Sequence, residues 1–370
     1  MEKGLNIKTR KDLTNYLQAC LVKKVPEESE IDEEDLPTKS LKSYIIESNI
    51  PNIENLPLDK FEVKVLSTKD DTIKIVSVIH KETRQKLRFY VDTLDKRFVV
   101  FHSADESKLT DKFIESLILK DSSALDYPWF FNGFMDNISK LGSNESFSVK
   151  FKNEFYNMEK ELAEIKRFSM RFWGNDGRKT LNQLGEVDSL KKGISLTNMG
   201  IKIGEDLFIN DNVNYNGRFT AISGNSVREH LYLINKIKTL YRDIINKIES
   251  SSIEYIHGES KVSMIGEPII IKFSKPILDV KTFANILTSS KKPFRLWGIC
   301  DFLLEDYVAV NGIDLHTGDK IDFEISKNWM RLYLPKGSCG NVVARLLTNI
   351  QHSFDSNAKM IIGGEDLDGY

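Results

Sequence analysis

Three short stretches of the chain return in the same order further along it. Val149-Lys150-Phe151 reappears as Ile271-Lys272-Phe273, Arg171-Phe172-Trp173-Gly174 as Arg295-Leu296-Trp297-Gly298, and Gly224-Asn225 as Gly340-Asn341. The offsets are 122, 124 and 116 residues. Self-similarity at a roughly constant spacing points to a duplicated structural unit, and so constrains the fold more than composition does. Between the matched points the patterns also agree. A strand carrying Lys-Phe leads to a helix (residues 158–166, or 279–289), then to a strand that ends in Trp-Gly, several short strands and a final amphipathic helix.

The last unit is the clearer one. Strands are expected at 269–273, 294–299, 307–310, 320–325 and 330–334, from their Val, Ile, Phe and Tyr content. Asp279 is placed to cap the first helix, and Asn311-Gly312 and Thr317-Gly318-Asp319 supply turn chemistry. The closing helix carries Val343, Leu346, Leu347, Ile350 and Phe354 on one side. In the middle unit Ser226 and Glu229 form a capping box ahead of a stripe of Val227, Leu231, Ile234, Tyr241, Ile244 and Ile248. Residues 175–189 are an insertion there. Strands at 61–66, 72–80, 86–92 and 97–102, then a helix capped by Ser103 and Glu106 with Leu109, Phe113 and Leu117, make a degenerate first unit. Tyr127-Pro128-Trp129-Phe130-Phe131 is expected in a connecting helix that packs its rings at a seam between domains.

The resulting fold class is α+β, in repeated β-α-β-β-β-β-α units whose curved antiparallel sheets are covered by helices on one face. That element order resembles the topology of the TATA-binding protein fold; the likeness is of topology, and no functional residue is carried over from it. The expected organisation is an acidic N-terminal arm over 1–58, then units over 59–143, 144–251 and 252–370, the last with a flexible tail. In the arm, a helix over 12–22 aligns Leu13, Leu17 and Leu21, and a second short helix follows Pro37 and ends near Pro51. Between them Glu27, Glu28, Glu30, Asp32, Glu33, Glu34 and Asp35 form a solvated linker or an interaction tail.

An antiparallel sheet with helices on one side leaves its other face free, and strand alternation says which residues occupy it. The free face is expected to carry Lys150, Lys152, Arg171, Trp173, Lys272, Arg295, Trp297, Arg331 and Tyr333. Cations attract phosphate and aromatic rings offer stacking surfaces, so these nine form the candidate nucleic-acid-binding site. Asp322 and Glu324 fall on the same face and oppose a polyanion. A protein partner on this face, or burial of Trp173 and Trp297 between units, are the competing readings.

Composition narrows the rest. With 52 basic against 54 acidic residues, the chain has no global attraction to nucleic acid, so such contact needs a local patch. Cys20, Cys300 and Cys339 lie far apart, which fits a reducing cytoplasm and no disulfide framework. No apolar run reaches membrane-span length, and the start lacks an apolar signal core. Walker, dinucleotide-binding, zinc-protease and hydrolase-elbow motifs are absent. No cofactor and no metal site is expected; Asp314 and His316 read as a hydrogen-bonded turn pair. Glu62-x-Lys64 and Asp279-x-Lys281 match half of a metal-dependent nuclease motif, Asp279 being better explained as a cap. The expected function is a non-catalytic binding subunit of a larger complex, contacting nucleic acid. A protein scaffold or adaptor in a prokaryotic defence system, or a metal-dependent nuclease, are the alternatives.

Overall fold

The computed structural model describes residues 7–21, 40–50, 60–120, 124–153, 155, 166–174, 177–187, 194–257, 262–289 and 292–367. The acidic run at 27–35 and the helix expected at 158–166 lie outside the described residues. In chain order the elements begin α1 (Arg10–Cys20), β1 (Lys42–Ser48), β2 (Phe61–Ser67), β3 (Ile73–His80), β4 (Lys86–Asp92), β5 (Phe98–Ser103), α2 (Ser107–Ile118) and β6 (Leu125–Asp126). They continue with α3 (Asn132–Ile138), β7 (Ser143–Lys152), β8 (Arg167–Trp173), α4 (Gly177–Gly185), β9 (Leu196–Ile203), β10 (Ile209–Asn214), β11 (Arg218–Gly224) and α5 (Val227–Ser250). The remainder are β12 (Glu254–His257), β13 (Val262–Ile265), β14 (Ile269–Lys272), α6 (Val280–Leu287), β15 (Leu296–Leu304), β16 (Tyr307–Asp314), β17 (Lys320–Ser326), β18 (Trp329–Tyr333), α7 (Asn341–Ser353), β19 (Lys359–Ile362) and β20 (Glu365–Asp366). The protein is thus a mixed α and β structure with large antiparallel sheets. Two compact units divide it: Met1–Pro128 with Leu141–Ser146 and Asn198–Lys238, and Trp129–Lys140 with Phe147–Thr197 and Thr239–Tyr370. No described helix is long and apolar enough to cross a membrane.

In the first unit the strands run β2-β3-β4-β5-β1-β11-β10-β9, with β6 also beside β1. Where a short helix is expected between Pro37 and Pro51, β1 forms instead, and all seven of its residues are buried. Tyr44, Ile45 and Ile46 suit a pleated strand, and β5 and β11 supply antiparallel partners on either side. A helix there would leave those two edges unpaired. On one face Tyr44, Ile46, Phe89, Val91, Val99 and Phe101 pack with Phe113, Ile114 and Leu117 of α2. Each such side chain contributes about 1.5–3 kcal/mol by leaving water. The helix α2 does not use the expected cap. Ser103 ends β5 and donates its hydroxyl to the Arg88 carbonyl at 2.8 Å, and α2 starts after Glu106 without a side-chain cap bond. Helix α1 opens with a reciprocal Thr9–Asp12 capping box and buries Leu13 and Leu17, as the Leu spacing predicts. Its Gln18 caps α5: the carboxamide donates to the Asn225 carbonyl and accepts from the Val227 N–H, both at 2.8 Å. The Val227 N–H is one of the unsatisfied donors of a helix start, and the Gln18 carboxamide oxygen supplies its acceptor.

In the second unit the strands run β15-β16-β17-β18-β14-β19-β20, all antiparallel. The order β14-α6-β15-β16-β17-β18-α7 matches the reading of the last unit element for element. Asp279 caps α6, accepting from the Thr282 N–H at 2.9 Å. Phe273, Phe283 and Phe354 pack in mutual ring contacts of 4.9–5.8 Å and join β14, α6 and the end of α7. Every residue of α7 except His352 is buried, so its polar side is enclosed as well as its apolar stripe. Gln351 accepts from the Asn132 N–H at 2.8 Å and donates to the Ala358 carbonyl at 2.8 Å, and Tyr241 donates to Asn341. Trp129, Phe130 and Phe131 are buried, but in an extended stretch before α3 rather than in a helix, with Phe130 against the Tyr241 ring at 5.3 Å.

Counted from the first strand of each block, the sheet order second-third-fourth-fifth-first occurs in β15-β16-β17-β18-β14 and again in β2-β3-β4-β5-β1. The middle stretch is ordered differently. There β11 pairs with β1, and β7 lies between β9 and β8 rather than beside the last strand. The short sequence matches link the middle and last stretches, whereas the shared strand order links the first and last. Strand β1, placed in the acidic arm by composition, is what completes the first block.

Candidate functional site

Eight of the nine expected site residues fall into two groups. On β7 and β8 the Asn153 N–H donates to the Lys166 carbonyl at 3.0 Å and closes the pair. Counting back antiparallel from that bond, Lys152 falls beside Arg167, Lys150 beside Ser169 and Ser148 beside Arg171. Alternation then places Lys150, Lys152, Arg167, Arg171 and Trp173 on one face. The opposite set on β7, Phe147, Val149 and Phe151, is buried, as that assignment requires. Lys150, Lys152 and Arg167 are exposed, and Trp173 is 45% exposed with the Arg171 guanidinium 5.4 Å from its ring centre. Arg167 was absent from the expected site, although alternation along β8 alone sets it with Arg171 and Trp173.

The second group lies on the seven-stranded sheet. Register pairs Lys272 with Trp329, Arg331 with Glu324, Tyr333 with Asp322, and Trp297 with Ile313, all on the helix-free face. Trp297 is 47% exposed, so neither repeat tryptophan is sealed in. The charges here are locally balanced. Arg331 pairs with Glu324 at 3.1 Å, Tyr333 donates to the same carboxylate at 3.0 Å, and Lys320 pairs with Asp322 at 2.8 Å. Burial and Glu324 together push the Tyr307 phenol up to about 12. Arg295 is not on this face. It is buried, precedes β15 and has a φ of 53°, so it breaks the alternation that would have turned it outward. Glu62 pairs with Arg84 at 3.1 Å and Asp279 caps α6, which accounts for both half-matches to a nuclease motif.

The first unit holds a polar relay that sequence reasoning did not find. Ser43 of β1 places its hydroxyl 2.7 Å from His102 Nδ1 and 2.8 Å from His230 Nε2. His230 Nδ1 lies 2.8 Å from both oxygens of Asp211 on β10. Burial, with His230 as the next cause, pushes His102 down to about 3, so it stands neutral. The order serine, base, carboxylate is that of an activated nucleophile, yet all four side chains are at most 1% exposed and Ser43 has no open path to a substrate. The relay therefore braces β5, β1, β10 and α5. The one sequence signal for it was His230 falling in the Val227–Ile234 stripe of α5, among buried positions.

In the second unit Arg345 of α7 forms a buried ion pair with Asp314, and its Nε donates to the Phe294 carbonyl at 3.1 Å. The His316 N–H donates to Asp314 at 3.1 Å, so the expected Asp314–His316 turn pair is present and extended by an arginine 31 residues on.

The MJECL33-like protein family matches residues 1–368 of the chain. Over 367 residues the chain is 29% identical to the uncharacterized protein MJECL33 of Methanocaldococcus jannaschii, with 85% of each chain covered.

Proposed function

The chain belongs to the MJECL33-like protein family, and on that premise we propose a non-catalytic binding subunit of a larger cytoplasmic complex that contacts nucleic acid through the β7–β8 ribbon. The observation that carries this reading is the grouping of Lys150, Lys152, Arg167 and Arg171 with Trp173, on a strand pair whose shared face presents no carboxylate from either strand. Four cations engaging phosphates would give log K a slope of about −3 against log salt for a single strand. Stacking on Trp173 would add about 1–3 kcal/mol. On the seven-stranded face Asp322 and Glu324 engage Lys320, Arg331 and Tyr333 and place carboxylates where a polyanion would lie.

The test is fluorescence anisotropy of a labelled oligothymidylate across a salt series, with wild type and Lys150→Glu/Lys152→Glu. Binding about tenfold weaker in the variant, with a shallower salt slope, is expected. Affinity indifferent to salt, or to the double substitution, would overturn the proposal.

A second reading, a protein adaptor in a prokaryotic defence complex, is favoured by the β12–β13 hairpin. Tyr255, Ile256, Met264 and Ile265 are exposed on it. A two-stranded hairpin is marginal in water by itself, so apolar side chains on it favour a protein cover.

A further inference from the structure

Strand β15 ends the seven-stranded sheet, and among the described residues only the bridge from Ser289 to Trp297 touches its outer edge. Natural edge strands are blunted by lysine, proline or brevity. This one has nine residues, Leu-Trp-Gly-Ile-Cys-Asp-Phe-Leu-Leu, and Asp301 is its only charged side chain. Trp297, Ile299, Phe302, Leu303 and Leu304 are exposed along it, Ile299 and Leu304 at 64% and 69%, with Ile313 beside Trp297 on β16. Trp297, Ile299 and Ile313 stand on the helix-free face and Phe302 on the opposite one, so the strand exposes apolar side chains on both sides of its open edge. An edge strand that is apolar on both sides is a template for pairing with another strand.

We propose that two copies of this chain join along β15, antiparallel, about a two-fold axis at Cys300. The Ser289 bridge closes the strand at Trp297, and a register irregularity between Phe302 and Leu304 interrupts it at the other end. The free edge is therefore 298–302, whose midpoint is Cys300. An axis normal to the sheet at this residue sets Gly298 opposite the partner's Phe302, where the missing side chain leaves room for a ring. It sets Ile299 opposite the partner's Asp301, so the carboxylates do not meet. Moving the axis to Asp301 would set them face to face, which is destabilising. Self-pairing of this kind is isologous and closes after two copies. The surface is separate from the β7–β8 ribbon, so it stands or falls independently of the binding role proposed above.

The register makes a covalent prediction. Cys300, whose thiol lies 3.6 Å from the Thr288 hydroxyl, would lie directly opposite the partner's Cys300 with Cα atoms about 4.5–5.5 Å apart, inside the Cα span of a disulfide, so mild oxidation could join them. The full chain is examined by sedimentation equilibrium at about 10 μM, where the dimer is populated if its Kd is micromolar or tighter. It is also treated with copper phenanthroline and run on a non-reducing gel. The expected mass is twice 42.5 kDa for wild type and Cys300→Ser, and 42.5 kDa for Ile299→Asp, whose exposed position leaves the fold unaffected. The oxidised dimer band is expected in wild type and absent in Cys300→Ser. A single-chain mass for wild type, a dimer that persists in Ile299→Asp, or a cross-link that survives Cys300→Ser would each overturn the proposal.

Discussion

Replacing Asp314 by Asn removes one charge from the enclosed side of α7 while keeping the side chain's shape. Asp314 and Arg345 have side chains 2% and 0% exposed, so neither can recover solvation by turning outward. Asparagine still accepts through Oδ1, and the His316 N–H at 3.1 Å keeps a partner. What is lost is the counter-charge to a guanidinium held by the Phe294 carbonyl. Breaking a buried pair in this way costs about 3–5 kcal/mol, about a fifth or more of the stability of an ordinary domain. Arg345→Met leaves the carboxylate stranded and costs a similar amount. The double variant strands neither charge, so it should cost about 2–3 kcal/mol less than the sum. Urea unfolding followed by tryptophan fluorescence reads this unit alone, since Trp129, Trp173, Trp297 and Trp329, the four tryptophans of the chain, all belong to it. Burial raises the pKa of the Asp314 carboxyl, but Arg345 and His316 outweigh that and hold it well below its ordinary 3.8. A depressed carboxylate stabilises above its unfolded pKa and loses that contribution as pH falls below it. The acid limb below pH ~4 should therefore be shallower in Asp314→Asn. A single-variant cost under about 1 kcal/mol, or strict additivity in the double variant, would refute the account of this pair.

Leu346, fully buried on α7, should cost about 2–5 kcal/mol on replacement by alanine, read as a lowered urea midpoint; an unmoved midpoint would show that the stripe is not packed. Ser43→Ala removes the group that both histidines share and should cost about 1–3 kcal/mol in far-UV-monitored unfolding without changing nucleic-acid affinity. Burial, with the neighbouring His230, pushes His102 down to about 3. The unfolded chain takes up that proton near pH 6.5 and the folded chain does not, so stability present above pH 6.5 is lost as pH falls toward the folded value, at about 1.4 kcal/mol per pH unit. Flat stability between pH 7 and 5 would contradict its burial as a neutral group.

The last unit was legible because its signals are local. Ile321, Phe323 and Ile325 alternate with Lys320, Asp322 and Glu324 as a half-buried strand must, and the burial pattern of β17 follows that alternation. Asp279 caps α6 through a bond three residues long. Trp173 and Trp297 fall on outward positions as their neighbours imply. The same logic failed where a residue left the pleat. Arg295 shares its Arg-x-Trp-Gly context with Arg171, yet a positive φ and the start of β15 one residue later turn it inward.

From its own residues the chain determined most of the strands and helices of its last stretch, since alternation and helical spacing are read within a few positions of each other; the segment that became β1 read as a helix. Which strand lies beside which was decided only in three dimensions. Nothing in Lys42–Ser48 distinguishes an isolated polar-flanked segment from a central strand until β5 and β11 close on both edges. Ser43 and His230 meet across 187 positions, and Arg345 and Asp314 across 31. Such contacts depend on shape and enclosure, for a buried charge or imidazole is tolerable only where the fold delivers its partner, and that delivery has no short-range signature.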